Sequence, residues 1–149
     1  MSKPYASHDL TQRPPRSPRV RLGGYAHLPR LLDKARAVAA GTAGEYHYDC
    51  PLDKRFFAFT GIGQESLMAE VKLGRSDSAM LEWVSAHTTR QPYEIAAWSA
   101  WMETAGPGGH EGHEWMAEVV KGAAPERADI RSFFDLLDLD DYVSYGGQG

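Results

Sequence analysis

Apolar positions recur along this chain at helical spacing, in short stretches cut by glycine and proline. The clearest is LPRLLDKARAVAAG, residues 28–41. There Leu28, Leu31, Leu32, Ala35 and Ala39 share a face, Pro29 suits a first helical turn and Gly41 a stop. The opposite face holds Arg30, Asp33, Lys34 and Arg36. Further along, PLDKRFFAFTG predicts a helix from Pro51 to the break at Gly61, and QESLMAEVKLG gathers Leu67, Met68 and Val71 before Gly74. Ser76 is the N-cap of SDSAMLEWVSAH, since its hydroxyl can accept from an unbonded backbone N–H. QPYEIAAWSAWMETAG has Pro92 in its first turn, Glu94 near the positive end of the helix dipole, and a stripe of Ile95, Trp98 and Met102. EGHEWMAEVVKG turns Trp115, Met116, Val119 and Val120 inward, and ADIRSFFDLLDLDDY does the same with Ile130, Phe133, Phe134 and Leu137. Leu31, Phe56, Trp98, Phe133 and Phe134 are the expected common core.

Two stretches break the helical pattern. Residues 1–27 hold Pro4, Pro14, Pro15 and Pro18 with Gly23 and Gly24, which rules out a long helix. Tyr5, Leu10, Val20, Leu22 and Tyr25 are apolar anchors for such an arm. GEYHYDC alternates and is the one segment of the remainder suited to extended structure. The expectation is an all-α, single-domain bundle of about seven short helices over residues 28–142. An extended, proline-rich basic arm (1–27) packs on it, and a flexible tail (143–149) follows.

Composition fits one ordinary globular domain: 149 residues, 42% apolar and 24% charged. No apolar run approaches the ~18 residues of a membrane span. The first residues lack the apolar core of a secretory signal, and Cys50 stands alone, so an internal disulfide is excluded. A cytoplasmic location is expected. Charge changes the picture more. Residues 1–30 carry six cations against Asp9, a net +5, and the rest carries ten cations and nineteen acids, a net −9. The acids crowd near the C-terminus, Asp135, Asp138, Asp140 and Asp141 among them. A basic arm beside an acidic body can fold back on it or meet an outside polyanion. The intramolecular contact is favoured by effective concentration.

Taken together, LLDKARA, LDKRFFAFTGI, SDSAMLEWV and DIRSFFDLLDLDD, with the opening DLTQRPPRSPRVRLGGY, resemble an uncharacterised bacterial family known only as a domain of unknown function. The likeness runs from about Asp9 to Asp141. It implies a compact helical protein of bacterial type and supplies no catalytic residue. HEGHE lies outside the shared pattern.

Candidate chemistry is sparse. In LLDKARA, Asp33 and Arg36 are three apart and can pair across a turn. Lys34 and Arg36 can fix an anionic ligand with Asp33 orienting them, or these charges can tie down the last helix through Asp135 or Asp138. YHYDCPLDKR concentrates Tyr46, His47, Tyr48, Asp49, Cys50, Asp53 and Arg55, and Cys50 before Pro51 can stand at a helix N-terminus. Trp98 and Trp101 cannot both sit at the centre of one stripe, so one belongs at a rim. HEGHE sets His110, His113 and Glu114 at helical spacing, but the zinc-protease pattern needs H-E-x-x-H, so no metal is expected. Arg13, Arg16 and Arg19, every third residue, would line one edge of a polyproline helix and could track phosphates. The acidic body and the lack of aromatic–basic interleaving argue against nucleic acid.

The function expected is that of a binding or accessory module for a small polar or anionic ligand, or for a protein partner, without cofactor, as monomer or homodimer. Its candidate ligand-binding residues are Asp33, Lys34, Arg36, Tyr48, Asp53, Arg55, Trp98 and Asp135. The alternative is a small enzyme using His, Asp and Arg side chains in a pocket near residues 46–55, possibly with a metal. A phosphate-backbone binder led by the arm is the weaker third.

Overall fold

A computed structural model describes residues 9–124, 127 and 129–145. Seven helices are found among them: α1 (Leu28–Ala40), α2 (Pro51–Thr60), α3 (Gln64–Val71), α4 (Asp77–Ala86), α5 (Pro92–Thr104), α6 (Gly109–Ala123) and α7 (Phe133–Ser144). Local chemistry sets their ends. The Ser76 hydroxyl accepts from the Ala79 N–H at 3.2 Å. Ser132 and Asp135 cap α7 reciprocally, hydroxyl to the Asp135 N–H and carboxylate to the Ser132 N–H, at 3.1 and 3.0 Å.

The chain before α1 holds one short antiparallel pair, β1 (Arg21–Leu22) and β2 (Tyr25–Ala26), with Arg21 opposite Ala26 and Leu22 opposite Tyr25. The Gly23–Gly24 turn has positive φ at both positions, the conformation that matches strand twist in two-residue hairpins. A Cβ at Gly23 would lie 2.4 Å from the Leu81 side chain, which would have to shift. Ser99 of α5 pins the hairpin: its hydroxyl accepts from the Ala26 N–H at 2.9 Å and donates to the Gly24 carbonyl at 2.6 Å. GEYHYDC, expected to be the extended stretch, forms turns instead. Its alternation has no neighbouring strand to pair with among the described residues.

Two apolar clusters form. The larger joins Tyr25, Leu28, Leu31, Leu32, Phe56, Leu67, Met80, Val84, Trp98, Met102 and Phe134. Within it Tyr25, Phe56 and Trp98 pack edge to face at 5.4–6.3 Å, and Phe59 stacks on Trp98 at 5.0 Å. The smaller lies between α6 and α7, around Met116, Val120, Ala124 and Leu139. Phe133 belongs to the rim of this second cluster and is half-buried, so the expected five-residue core loses it. The four others are buried in the first. Trp115 and Val119, expected to face inward, stay exposed, because α6 turns its Met116–Val120 side to α7. Trp101 is the rim tryptophan.

On α1 burial reaches the charged face as well as the apolar one. Every residue from Leu28 to Ala37 is buried, Arg30, Asp33, Lys34 and Arg36 included. The helix is enclosed, and its charges must be matched by other buried or half-buried groups.

Candidate functional site

The charges on α1 resolve into three ionic centres. In the first, Arg16 donates to Asp33 through its backbone N–H (2.9 Å), Nε (3.0 Å) and Nη2 (3.0 Å), and to Asp77 through Nη1 (2.7 Å). Arg36 donates to the other Asp77 oxygen at 2.8 Å and to the Arg75 carbonyl at 3.2 Å. Burial would lower the Arg16 guanidinium, but its bonds to Asp77 and Asp33 outweigh this and raise it. In the second, Arg30 grips Asp141 of α7 with two nitrogens at 2.7 and 3.2 Å, and the Tyr46 hydroxyl donates to the same carboxylate at 2.7 Å. Arg30 therefore ties down the last helix. Lys34 and Arg36 do not reach Asp135 or Asp138. Those two acids pair with Arg19, and Asp138 also accepts from the Ser17 hydroxyl at 2.7 Å.

The third centre combines structure with an opening to solvent. Asp53, at the third position of α2, accepts from the N–H groups of Asp49 (2.9 Å) and Cys50 (3.3 Å) and so caps its own helix. The Lys34 ammonium reaches both its oxygens, at 2.9 and 2.8 Å, and also the His47 carbonyl (3.1 Å) and Cys50 Sγ (3.3 Å). His27 Nε2 lies 2.7 Å from Asp53 Oδ1. Burial alone would raise the Asp53 carboxyl, but the His27 hydrogen bond and the Lys34 charge hold it at about 2. An ionised carboxylate only accepts, so Nε2 carries the proton. Burial pushes His27 down; Asp53 opposes this, and the Lys34 and Arg30 charges reinforce it. The imidazole is therefore neutral at pH 7, with its lone pair on Nδ1. That nitrogen is buried and finds no hydrogen-bond partner among the described residues. His27 is also held at φ 71°, a left-handed conformation that side chains other than glycine seldom adopt.

His27, Lys34, Tyr46, His47, Cys50 and Asp140 are among the residues lining a cavity of about 160 Å³. A neighbouring cavity of about 410 Å³ shares Glu45, Tyr46 and Asp140 with it. Burial and the adjacent Asp141 raise the Asp140 carboxyl, against the pull of Arg30.

Of the residues singled out from sequence, Lys34 lines this cavity, and Asp53 stands directly behind it. Arg55 lines an adjoining apolar groove, its guanidinium over the Trp101 ring at 4.8 Å and the Phe133 ring at 5.3 Å. Asp33 and Arg36 belong to the Arg16–Asp77 centre. Tyr48 donates to the Gln64 carbonyl at 2.7 Å and packs on Phe57. Trp98 is core, and Asp135 is the α7 cap. Sequence reading missed His27, Arg30 and Asp141. Positions 27, 30 and 34 share a helical face, whereas 33 and 36 share another; that spacing was the available signal. Of HEGHE, the His110 side chain lies outside the described residues. Among the described residues no cluster of three His, Cys, Asp or Glu side chains could hold a metal ion.

Fold and site together define a small, mostly helical protein organised around an enclosed, charge-bearing helix. Over residues 12–143 the chain matches the family described as "Domain of unknown function (DUF5069)", and it belongs to that family. No curated protein matches it. No helix among the described residues is long and apolar enough to cross a membrane.

Proposed function

We propose that the chain binds a small polar ligand in the His27–Cys50 cavity, with His27 Nδ1 as the acceptor that recognises it. The observation that carries this reading is the ring itself. A buried histidine is held in a strained backbone conformation and locked in one tautomer by an ionised carboxylate, and its other nitrogen is unmatched. Buried polar atoms are matched in the great majority of cases, and a residue held against its backbone preference is a mark of function. Both lining cations already serve carboxylates, Lys34 with Asp53 and Arg30 with Asp141. The ligand inferred is thus a hydrogen-bond donor rather than an anion. The cavity is smaller than the 300–1,000 Å³ typical of drug-sized ligands, which favours a molecule of few heavy atoms.

The same pair supports a second reading, a small enzyme in which His27, oriented by Asp53, is the general base. Binding comes first in either case. The test is a thermal-shift screen of small polar compounds on the parent chain and on His27→Gln, whose amide can still donate to Asp53. A true ligand stabilises the parent, not the variant, and moves the His27 Nδ1 resonance in nitrogen NMR. Compounds that stabilise both proteins equally would remove the reading.

A further inference from the structure

The polar cavity opens onto something chemically different. Cys50, Leu52 and Leu137 line it and also line an apolar groove of about 310 Å³, whose other walls include Trp115, Phe133 and Leu136. The thiol therefore sits at the seam between a polar chamber and an apolar one. Three further facts bear on it. Cys50 is the N-cap of α2, so it stands at the positive end of that helix. Lys34 Nζ lies 3.3 Å from Sγ, and cysteines that act as nucleophiles occur beside such cations and at helix N-termini. His27 lines the same cavity, wholly buried, with its Nδ1 lone pair unmatched among the described residues. Trp115, one of the walls of the groove, is 51% exposed.

We propose that Cys50 is an acyl-accepting nucleophile that takes a medium-chain acyl group from a thioester, with the chain lying in the Trp115–Phe133 groove. Sγ attacks the thioester carbonyl carbon. The new S–C bond forms as the bond from that carbon to the departing sulfur breaks. The Cys50 proton is given up to water, and the departing thiolate takes a proton from water and leaves as a free thiol. One thioester replaces another, so no oxidant or reductant is needed. Cys50 and the groove stand apart from the ligand-binding reading above.

The experiment uses the full chain and two probes, the octanoyl and acetyl thioesters of N-acetylcysteamine, followed by intact-mass spectrometry. The expected result is one octanoyl adduct, mapped to Cys50, released by neutral hydroxylamine and absent in Cys50→Ser. Partial burial of the longer chain makes octanoyl transfer about tenfold faster than acetyl transfer. Trp115→Ala, at the exposed rim, reduces that ratio to about twofold. Equal octanoyl and acetyl rates overturn the proposal, as does acylation of Cys50 no faster than in the urea-unfolded chain. If that happens while polar compounds still shift His27 Nδ1, the cavity reading survives alone. If octanoyl transfer depends on Trp115 while no polar compound touches Nδ1, the acyl site stands and the cavity reading falls.

Discussion

Asp53 does three things at one position: it caps α2, neutralises Lys34 and fixes the tautomer of His27. The acid stability of the protein follows from this arrangement. His27 is lowered in the fold relative to about 6.5 when unfolded, so its contribution is complete above pH ~6.5 and shrinks as the unfolded chain takes up a proton that the folded one refuses. Asp53 is lowered to about 2, so its contribution is complete above the unfolded value near 3.9 and is lost as pH falls through about 2. Melting temperature is therefore expected to hold above pH ~7, decline from ~6.5 towards 5, and fall again below ~4. In His27→Gln the first decline shrinks and the second stays. Thermal unfolding followed by circular dichroism from pH 3 to 8 checks this. An unchanged first decline in the variant would assign it to another histidine.

Helix boundaries follow from local chemistry, and these were the legible part. Pro29, Pro51 and Pro92 open helices, Gly41 and Gly61 close them, and Ser76 caps where its hydroxyl predicts. Which side of a helix faces protein depends on neighbours distant in sequence, and there the reading went astray. The polar side of α1 is buried because Asp53, Asp77 and Asp141 come to meet it from 19 to 111 residues away. No local pattern announces those partners. Only the i, i+3, i+7 alignment of His27, Arg30 and Lys34 hinted at a shared site. On α7 the adjacent phenylalanines part company: Phe134 is fully buried and stacks on His27 at 6.1 Å, while Phe133 supports the second cluster and faces Arg55. Phe134→Ala should cost about 3–5 kcal/mol. Phe133→Ala should cost roughly 1–2 kcal/mol, from partial burial and the lost cation–π contact. Denaturant midpoints of the two variants decide it, and equal losses would show that α7 is seated differently.

At the scale of the molecule, residues 9–27 bond to α1, α2, α4, α5 and α7. The Leu10 N–H donates to the Thr42 carbonyl at 2.9 Å, the Tyr145 hydroxyl donates to the Leu10 carbonyl, and Arg21 reaches Glu103 at 2.9 Å. We infer that this arm stays docked in solution, with unequal grip along its length. Arg16 pairs with an Asp33 side chain that is only 2% exposed, whereas Arg19 and its partners are 25–43% exposed. Salt screens exposed pairs far more than buried ones. Limited trypsin digestion of the native protein should be slow at low salt. At about 0.5 M, where the screening length shrinks to a few ångströms, cleavage after Arg19 should quicken first and Arg16 should stay protected. Rapid cleavage after Arg16 at low salt would show that the arm is not held.

The pairing of Arg19 with Asp135 spans 116 positions of chain, and a ribosome makes the basic partner first. At the usual ~5–20 residues per second, the acid follows about 6–23 s later. For that interval Arg19 is without the carboxylates of α7, whereas those of Arg16, Asp33 and Asp77, are made sooner. The prolines at 14, 15 and 18 help to hold the segment extended while it waits. Arg19 can meet its carboxylates only once the last helix has been made, so a codon-level pause before Asp135 lengthens the interval in which that cation is unmatched, without altering a single residue.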